Sequence, residues 1–328
     1  MKKRGILKKK RSWLFPVLLL LFVALLTLAL AIACAQPDEE LELINVFLDK
    51  DNKPPVLLAV KSIASSVIRL DFDEQVKVYG KSFSPFASRA DGKSVYVTLN
   101  STLEGGTQTQ ITGRVQDYYG NTTGLEVNVW GFNPNLPKMV INEFTTKGND
   151  DNPDRIELLA LTSGNLAGMA LYSGIPDDYD AMYVFQDIDI SAGDFVVVAF
   201  VDEEYEKDTT KANYFCVSEK LLPNDNGILV LASSPSPGAT ILDVVIYSKY
   251  KDGQEYFGTN ALKQRVQWAL SNGTWKGSAI NSTKSTAKRS MARILNSEDT
   301  DSLADWYIAA YAKKEDGFGK ANPVEKYE

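Results

Sequence analysis

Residues 138–172 read KMVINEFTTKGNDDNPDRIELLALTSGNLAGMALY, and this stretch decides the fold. It holds two short apolar runs, Met139–Phe144 and Arg155–Ala160, which the polar loop Thr145–Asp154 separates. A second turn, Thr162–Asn165, precedes another apolar segment. Short apolar runs bounded by Gly, Asn, Asp and Pro are typical of strands in a β-sandwich. The stretch therefore predicts an all-β domain.

A series of motifs that begins in this stretch resembles the lamin tail domain, which is an immunoglobulin-like β-sandwich. The first three are hydrophobic-Ile-Asn-Glu at Val140–Glu143, Ile-Glu-Leu at Ile156–Leu158, and Leu-x-Gly-hydrophobic-x-Leu at Leu166–Leu171. The later motifs follow in order at Ile190–Val198 (with Ala192 where Pro is usual), Gly227–Leu231, Ile241–Tyr247, Ser290–Arg293, Asp305–Trp306 and Gly317–Asn322. The resemblance implies a lamin tail domain over residues 138–323, with an insertion around residues 250–287. A fold of this kind does not fix a function.

The region upstream, residues 56–132, predicts a second β-domain. Its Val67–Phe72 segment alternates apolar and charged residues, which indicates a strand with one face in water. Asp73–Val76, Leu103–Thr107 and Val115–Asn121 resemble the motifs of bacterial immunoglobulin-like domains. In the last of these we expect Asp117 to accept backbone N–H groups within its turn. The prediction is thus two immunoglobulin-like sandwiches in tandem, joined at residues 131–137.

The first 33 residues have the pattern of a secretory signal. Met1–Arg11 carries seven basic residues and no acidic one, and Trp13–Ala33 is apolar apart from Thr27. Ala31-Ile32-Ala33-Cys34 resembles the bacterial lipobox, which implies cleavage before Cys34 and attachment of acyl chains to its thiol. Residues 34–55 then form a linker. The alternative is an uncleaved N-terminal anchor helix, since the apolar run is long enough to span a bilayer.

The charge of the remaining chain limits its partners. After residue 33 there are 42 acidic residues against 28 basic ones, a formal charge of −14. Such a balance argues against a nucleic-acid partner and against peripheral binding to anionic lipid. We therefore expect the lipid on Cys34 to be the link to the membrane.

Histidine is absent from the sequence, and cysteine occurs twice. The absence of histidine excludes Ser-His-Asp and Cys-His nucleophiles and every imidazole metal site. If Cys34 carries lipid, Cys216 has no partner for an intrachain disulfide. Cys216 lies in an apolar run that reads as a strand, so we expect a buried structural thiol rather than a redox or catalytic one.

The insertion contains a predicted helix and two tryptophans. Leu262, Val266 and Leu270 have helical spacing and predict a helix over Ala261–Leu270. Trp268 and Trp275 flank its end. We expect them to cover an open sheet edge, and the alternative is that they line a ligand groove.

Three sets of acidic residues are candidate sites. Asp150, Asp151 and Asp154 offer oxygens to a weak calcium site, but their loop does not fit the EF-hand register, and a solvated polar turn is the simpler interpretation. Asp177, Asp178 and Asp180 form a second cluster, for which a solvated turn is the simpler interpretation. Glu143 and Glu157 lie on neighbouring predicted strands, where the resemblance implies structural hydrogen bonds. Catalysis would instead require paired carboxylates in a cleft.

The sequence therefore predicts a non-enzymatic, lipid-anchored protein of the bacterial cell envelope, with no catalytic residue and no cofactor. We expect it at the outer membrane or cell surface rather than the inner membrane, and we expect a protein or glycan as its partner. Two alternatives remain at this point. One is an enzyme accessory module directed at carbohydrate or phosphate, and the other is a calcium-stabilised spacer.

Overall fold

Alternating residues in the first half of the chain form strands that bury one face. The computed structural model describes residues 51–201, 213–217, 222–295, 299–310 and 317–327. Within the compact unit Pro54–Glu328, the first seven strands are β1 Leu57–Ala64, β2 Val67–Phe72, β3 Lys77–Val78, β4 Ala87–Asp91, β5 Ser94–Thr98, β6 Gln108–Gln116 and β7 Thr122–Trp130. β2 alternates half-buried and buried residues, as its sequence predicts.

These strands make the first sandwich. One sheet has the order β1-β2-β5-β4 and the other β3-β6-β7. Ile68, Leu70 and Val97 from the first sheet share one hydrophobic core with Ile111 and Val129 from the second. The apolar faces of two sheets are thus removed from water together, which stabilises both.

The described residues of the second half of the chain form a larger set of strands and one α-helix. They are β8 Met139–Thr145, β9 Asp154–Ala160, β10 Gly164–Asn165, β11 Ala170–Ile175, β12 Asp178–Val184, β13 Asp189–Ile190, β14 Phe195–Phe200, β15 Asn213–Val217, β16 Gly227–Ala232, β17 Ile241–Lys251, β18 Gln254–Tyr256, α1 Asn260–Ser271, β19 Ile280–Asn281, β20 Met291–Arg293 and β21 Trp306–Ile308. The predicted all-β class is confirmed.

Two six-stranded sheets build the second sandwich. One has the order β15-β14-β9-β8-β20-β21, and the other has the order β12-β11-β16-β17-β18 with β19 beside β17. Ile141, Phe144 and Ile156 of the first sheet belong to the same core as Leu231 and Val245 of the second. β8, β11 and β16 are buried along their whole length, so the outward-facing residues of these strands are covered as well.

The cover on the outer face of β8 and β9 comes from the end of the chain. The Phe318 ring lies 4.1 Å from the Arg155 guanidinium. The Tyr307 hydroxyl donates to Pro323 O, and Tyr327 N donates to Ile308 O. Because this segment excludes water from the outer face, polar side chains that would otherwise be hydrated need protein partners there.

The predicted helix is confirmed as α1. Its first turn is capped by Thr259, whose hydroxyl accepts a hydrogen bond from Leu262 N. Val266 and Ala269 are buried, and the helix packs against β16. Trp268 and Trp275 pack in the second core, and Trp275 is 2% exposed. Both tryptophans therefore contribute to packing of the second core, and their expected position over an open sheet edge stays a prediction.

The predicted signal peptide, residues 1–33, and the lipid-attachment residue Cys34 lie outside the described residues. Within the ranges that the structure describes, no helix has the length and apolar character needed to cross a bilayer.

Candidate functional site

The connector between the two sandwiches is fixed by hydrogen bonds. Asn133 Nδ2 donates to Asn165 O at 2.8 Å and to Ala167 O at 2.9 Å, and Asn133 Oδ1 accepts from Asn135 N. Gly131 N donates to Thr107 O in the first sandwich. One short segment is thus bonded to both cores, which restricts their relative motion.

A second tie joins the two sandwiches at the edge strand β1. Val60 N, which would otherwise face solvent, donates to Pro237 O at 2.9 Å. Gly238 adopts φ +67°, and a Cβ there would lie 2.5 Å from the Ala59 Cβ. Glycine is required at this position both for the backbone conformation and for the close approach of β1.

A cleft of about 390 Å³ lies between these two ties. One wall carries the hydroxyls of a serine-rich turn. Ser233 Oγ accepts from Thr240 N at 3.0 Å, and Ser234 Oγ accepts from Ser236 N at 3.3 Å. A hydroxyl that accepts a backbone N–H keeps its own hydrogen for a ligand. Ser236 lines the cleft at 5% exposure.

The remaining lining is apolar, with one charge. Trp130 and Phe132 line the cleft and are half-buried, while Ile63 and Leu136 are 40% and 37% exposed. Among the described residues that line the cleft, Lys61 is the only ionisable one. The described lining thus offers hydroxyl donors, aromatic and aliphatic surface and one cation, but no carboxylate.

The paired glutamates of β8 and β9 are buried outside this cleft. Glu143 and Glu157 are cross-strand neighbours, and each is fully buried. Glu157 accepts from Asn142 Nδ2 at 2.7 Å and from Gly319 N. Burial, and then the nearby Glu143, raise the pKa of Glu157 well above its usual value. The pair therefore contributes hydrogen bonds inside the fold, and neither residue lines the cleft between the two ties.

The structure separates the residues of the predicted calcium site. Asp154 is 2% exposed and accepts from Gly148 N at 2.6 Å, whereas Asp150 and Asp151 are exposed. These three are not among the described acidic groups whose ligand atoms converge. Burial raises the pKa of Asp154 to about 6, even though the hydrogen bond from Gly148 lowers it. Asp154 closes the turn of its own loop.

Asp243, Asp299 and Asp301 do converge, but each is paired with a cation of the chain: Arg293 pairs with Asp243 and Asp299, and Lys276 pairs with Asp301. Arg293 donates to Asp243 at 2.9 Å and to Asp299 at 2.7 Å. Asp243 is 3% exposed, and this burial raises its pKa to about 7 although Arg293 acts in the opposite direction. The cluster is an internal ion pair that joins β17 to β20.

The acidic turn at residues 177–180 also pairs with an arginine. Arg265 of α1 donates to Asp178 Oδ1 at 2.7 Å and to Asp180 Oδ2 at 2.8 Å. The hydrogen bond from Arg265 lowers the pKa of Asp178. The turn thus anchors α1 to the β11–β12 hairpin. The sequence predicted either a calcium site or a solvated turn here, and neither prediction included this ion pair.

Two further sequence predictions concern single residues. Asp117 Oδ1 accepts from Asn121 N at 2.8 Å and its Oδ2 from Asn121 Nδ2 at 2.6 Å, so the carboxylate closes its turn as predicted. Cys216 lies in β15, as its apolar run predicted, but the residue is half-buried rather than fully buried.

The sequence did not predict the cleft between the two sandwiches. The run Ser233-Ser234-Pro235-Ser236-Pro237-Gly238 is a clear turn signal. Nothing in that run shows that it meets β1, which lies about 170 residues earlier. The serine-rich composition was the only local signal of this hydroxyl-lined wall.

The fold and the cleft define an all-β protein of two linked cores with an open, hydroxyl-lined site between them. The chain belongs to the family described as TP_1001_2nd, protein second domain, whose model matches residues 137–308. No curated protein matches the chain. The matched residues run from the end of the connector to β21, and so include the whole second sandwich apart from the C-terminal segment that covers it.

Proposed function

We propose that this protein is a non-catalytic binding protein of the bacterial cell envelope, anchored by lipid at Cys34. Its two linked sandwiches present a surface to a protein or glycan partner. The proposal joins the lipobox-like segment at residues 31–34 with the chemistry of the cleft.

The observation that carries the proposal is the location of the carboxylates. A hydrolase of the glycosidase type needs two carboxyl groups that reach the substrate from opposite sides of an open site. Here the candidate carboxylates of Glu143, Glu157 and Asp154 are all buried. Glu157 and Asp154 accept hydrogen bonds within the fold, and Glu143 lies beside Glu157 on the neighbouring strand. The open cleft between the cores contains hydroxyls, aromatic surface and Lys61 instead. Such a lining supports binding without a reaction.

The membrane part of the proposal rests on the leader. Several acyl chains on one cysteine hold a protein at a bilayer far more firmly than a single chain does. The formal charge of −14 after residue 33 makes adsorption to anionic lipid unfavourable, so the covalent lipid supplies the attachment.

Metabolic labelling with a clickable palmitate analogue in a bacterial host tests the anchor. We expect the full chain to take up label and to sediment with membranes, and we expect Cys34→Ser to lose the label. Cys216→Ser is the matched control because it removes the other cysteine, and it should label like the wild type. Label that persists in Cys34→Ser, or an unlabelled wild type in the soluble fraction, would contradict the proposal.

A further inference from the structure

We infer that the cleft between the two cores binds a glycan, with one or two sugar rings lying against Trp130 and Phe132. This inference rests on the proposed function, since it names the class of partner that the binding protein takes. It assigns the recognition to residues of both sandwiches rather than to either one alone.

The dimensions of the cleft fit a small part of a glycan. Its volume of about 390 Å³ lies near the lower end of the range for small-molecule sites, roughly 300–1,000 Å³. The cleft is open to solvent on one side, so a longer chain of sugars can extend away from the bound rings. An extended polypeptide would instead need a free strand edge or a long groove, and the outward N–H of Val60 on β1 is already bonded to Pro237.

The apolar lining of the cleft is complementary to the face of a sugar ring that presents C–H groups. Trp130 and Phe132 are adjacent to Ile63 and Leu136, whose side chains are exposed although they are large and apolar. Exposed apolar groups gathered in one concavity indicate a binding site more strongly than the same groups scattered over a surface. An aromatic ring contributes a large, rigid contact area at a low cost in conformational entropy.

The serine-rich wall matches the hydroxyls of the same sugar. The Ser233 and Ser234 oxygens accept backbone N–H groups, which fixes their positions and leaves each O–H to donate. Ser236 uses its backbone N–H and C=O within the turn, and the residue lines the cleft. Three serines on one turn that line the same cleft as two aromatic residues form an amphipathic site of the kind that a neutral polyol with one apolar face requires.

Rigidity favours binding by a site of this kind. The connector is bonded through Asn133, and the serine-rich turn is held against β1 through Pro237 and Gly238. Neither the connector nor the serine-rich turn has to become ordered when a ligand binds, so binding involves only a small loss of conformational entropy in the protein.

The test uses the purified full chain in detergent, titrated calorimetrically with chitotetraose and with maltotetraose. We expect at least one of these neutral oligosaccharides to bind with a Kd below about 1 mM. Trp130→Ala should weaken that binding by at least about tenfold because it removes the ring contact. Ser236→Ala should weaken it by about fivefold, which is the effect of one neutral hydrogen bond.

Two matched controls separate recognition from folding. Ser290 is a buried serine whose hydroxyl has no hydrogen-bond partner, and it lies outside the cleft, so Ser290→Ala should bind like the wild type. Trp268 is half-buried against the second core, so Trp268→Phe should also leave the affinity unchanged. Urea midpoints of all four variants establish that each is folded under the titration conditions.

The outcomes are distinct. The inference would be overturned if neither oligosaccharide bound at concentrations up to about 10 mM, which is roughly tenfold above the expected limit for Kd. It would also be overturned if Trp130→Ala and Ser236→Ala left the binding unchanged. Neither of those results would affect palmitate labelling at Cys34. Conversely, shortening of the oligosaccharide during incubation, detected by chromatography, would refute the non-catalytic proposal while the assignment of the cleft stands.

Discussion

Replacement of Arg293 by methionine tests whether the internal ion pair holds the second sandwich together. Arg293 donates to Ile141 O at 3.0 Å, to Asp243 at 2.9 Å and to Asp299 at 2.7 Å. Its side chain is 6% exposed, and that of Asp243 is 1% exposed. Methionine has a similar length and removes the charge. The variant therefore leaves Asp243 buried without its cation.

The expected loss of stability is large. Removal of one partner from a buried ion pair typically costs about 3–5 kcal/mol because the other charge stays desolvated. The cost should be smaller at pH 5.5 than at pH 7.5. Burial raises the pKa of Asp243 to about 7 even beside Arg293, so at the lower pH this carboxyl is largely neutral and needs a cation less.

Urea unfolding followed by tryptophan fluorescence measures this loss, with Arg265→Met as the matched control. Arg265 also binds two carboxylates, but Asp178 and Asp180 are 53% and 45% exposed. Water solvates these carboxylates after the arginine is removed, so the control should lose only about 0–1 kcal/mol. A loss below about 1 kcal/mol for Arg293→Met, or a loss equal to that of the control, would refute the role assigned to the buried pair.

Three further predictions concern Asp154, Gly238 and the predicted calcium site. Burial raises the pKa of Asp154 from 3.8 to about 6, so the folded state binds the proton of this carboxyl more tightly than the unfolded state does. The stability that the protonated carboxyl contributes is therefore lost as the pH rises from about 4 to about 6. The stability of Asp154→Asn relative to the wild type should thus increase by roughly 3 kcal/mol between pH 3.5 and pH 7, and a flat difference in urea titrations would disprove the assignment. Gly238→Ala should lower the free energy of unfolding by about 2 kcal/mol, and by more than Gly92→Ala, which has a similar φ of +59° but no neighbour within 4 Å of the added Cβ; equal losses would show that the approach of β1 is unimportant. The double substitution Asp150→Asn and Asp151→Asn should leave the effect of EDTA on the thermal midpoint unchanged, because these residues do not converge with Asp154; a smaller effect of EDTA on the double variant than on the wild type would restore the calcium site predicted there.

Local patterns were sufficient for the elements whose residues interact with near neighbours. β2 follows from the alternation in Val67–Phe72, and α1 from the spacing of Leu262, Val266 and Leu270. The turn at Asp117 follows from its own short-range hydrogen bonds. In each case the physical cause lies within a few residues of the element, so the sequence alone contains it.

The elements that were missed depend on distant partners. β4, Ala87–Asp91, has a weak apolar pattern and forms because it pairs with β5. Glu157 is buried because Gly319, about 160 residues later, donates to it from the covering segment. The serine-rich turn became part of the cleft only because Pro237 accepts from Val60 of the first sandwich. Tertiary contacts of this kind override local propensity and leave no periodic signal.

The same tertiary contacts place the buried acidic groups and the residues proposed to bind a ligand in separate parts of this protein. The ionisable groups that a reaction would need, Glu157 and Asp243 among them, lie where the fold excludes water, and they are bound to Gly319 or Arg293. To bring them to a substrate would require opening the covering segment or breaking a buried ion pair, at a cost of several kcal/mol. The cleft residues have the opposite character, because loss of one hydroxyl leaves no buried charge behind. If the cleft is the binding site that we propose, substitutions there should change binding at little cost to stability, whereas substitutions in the buried acidic clusters should affect folding first.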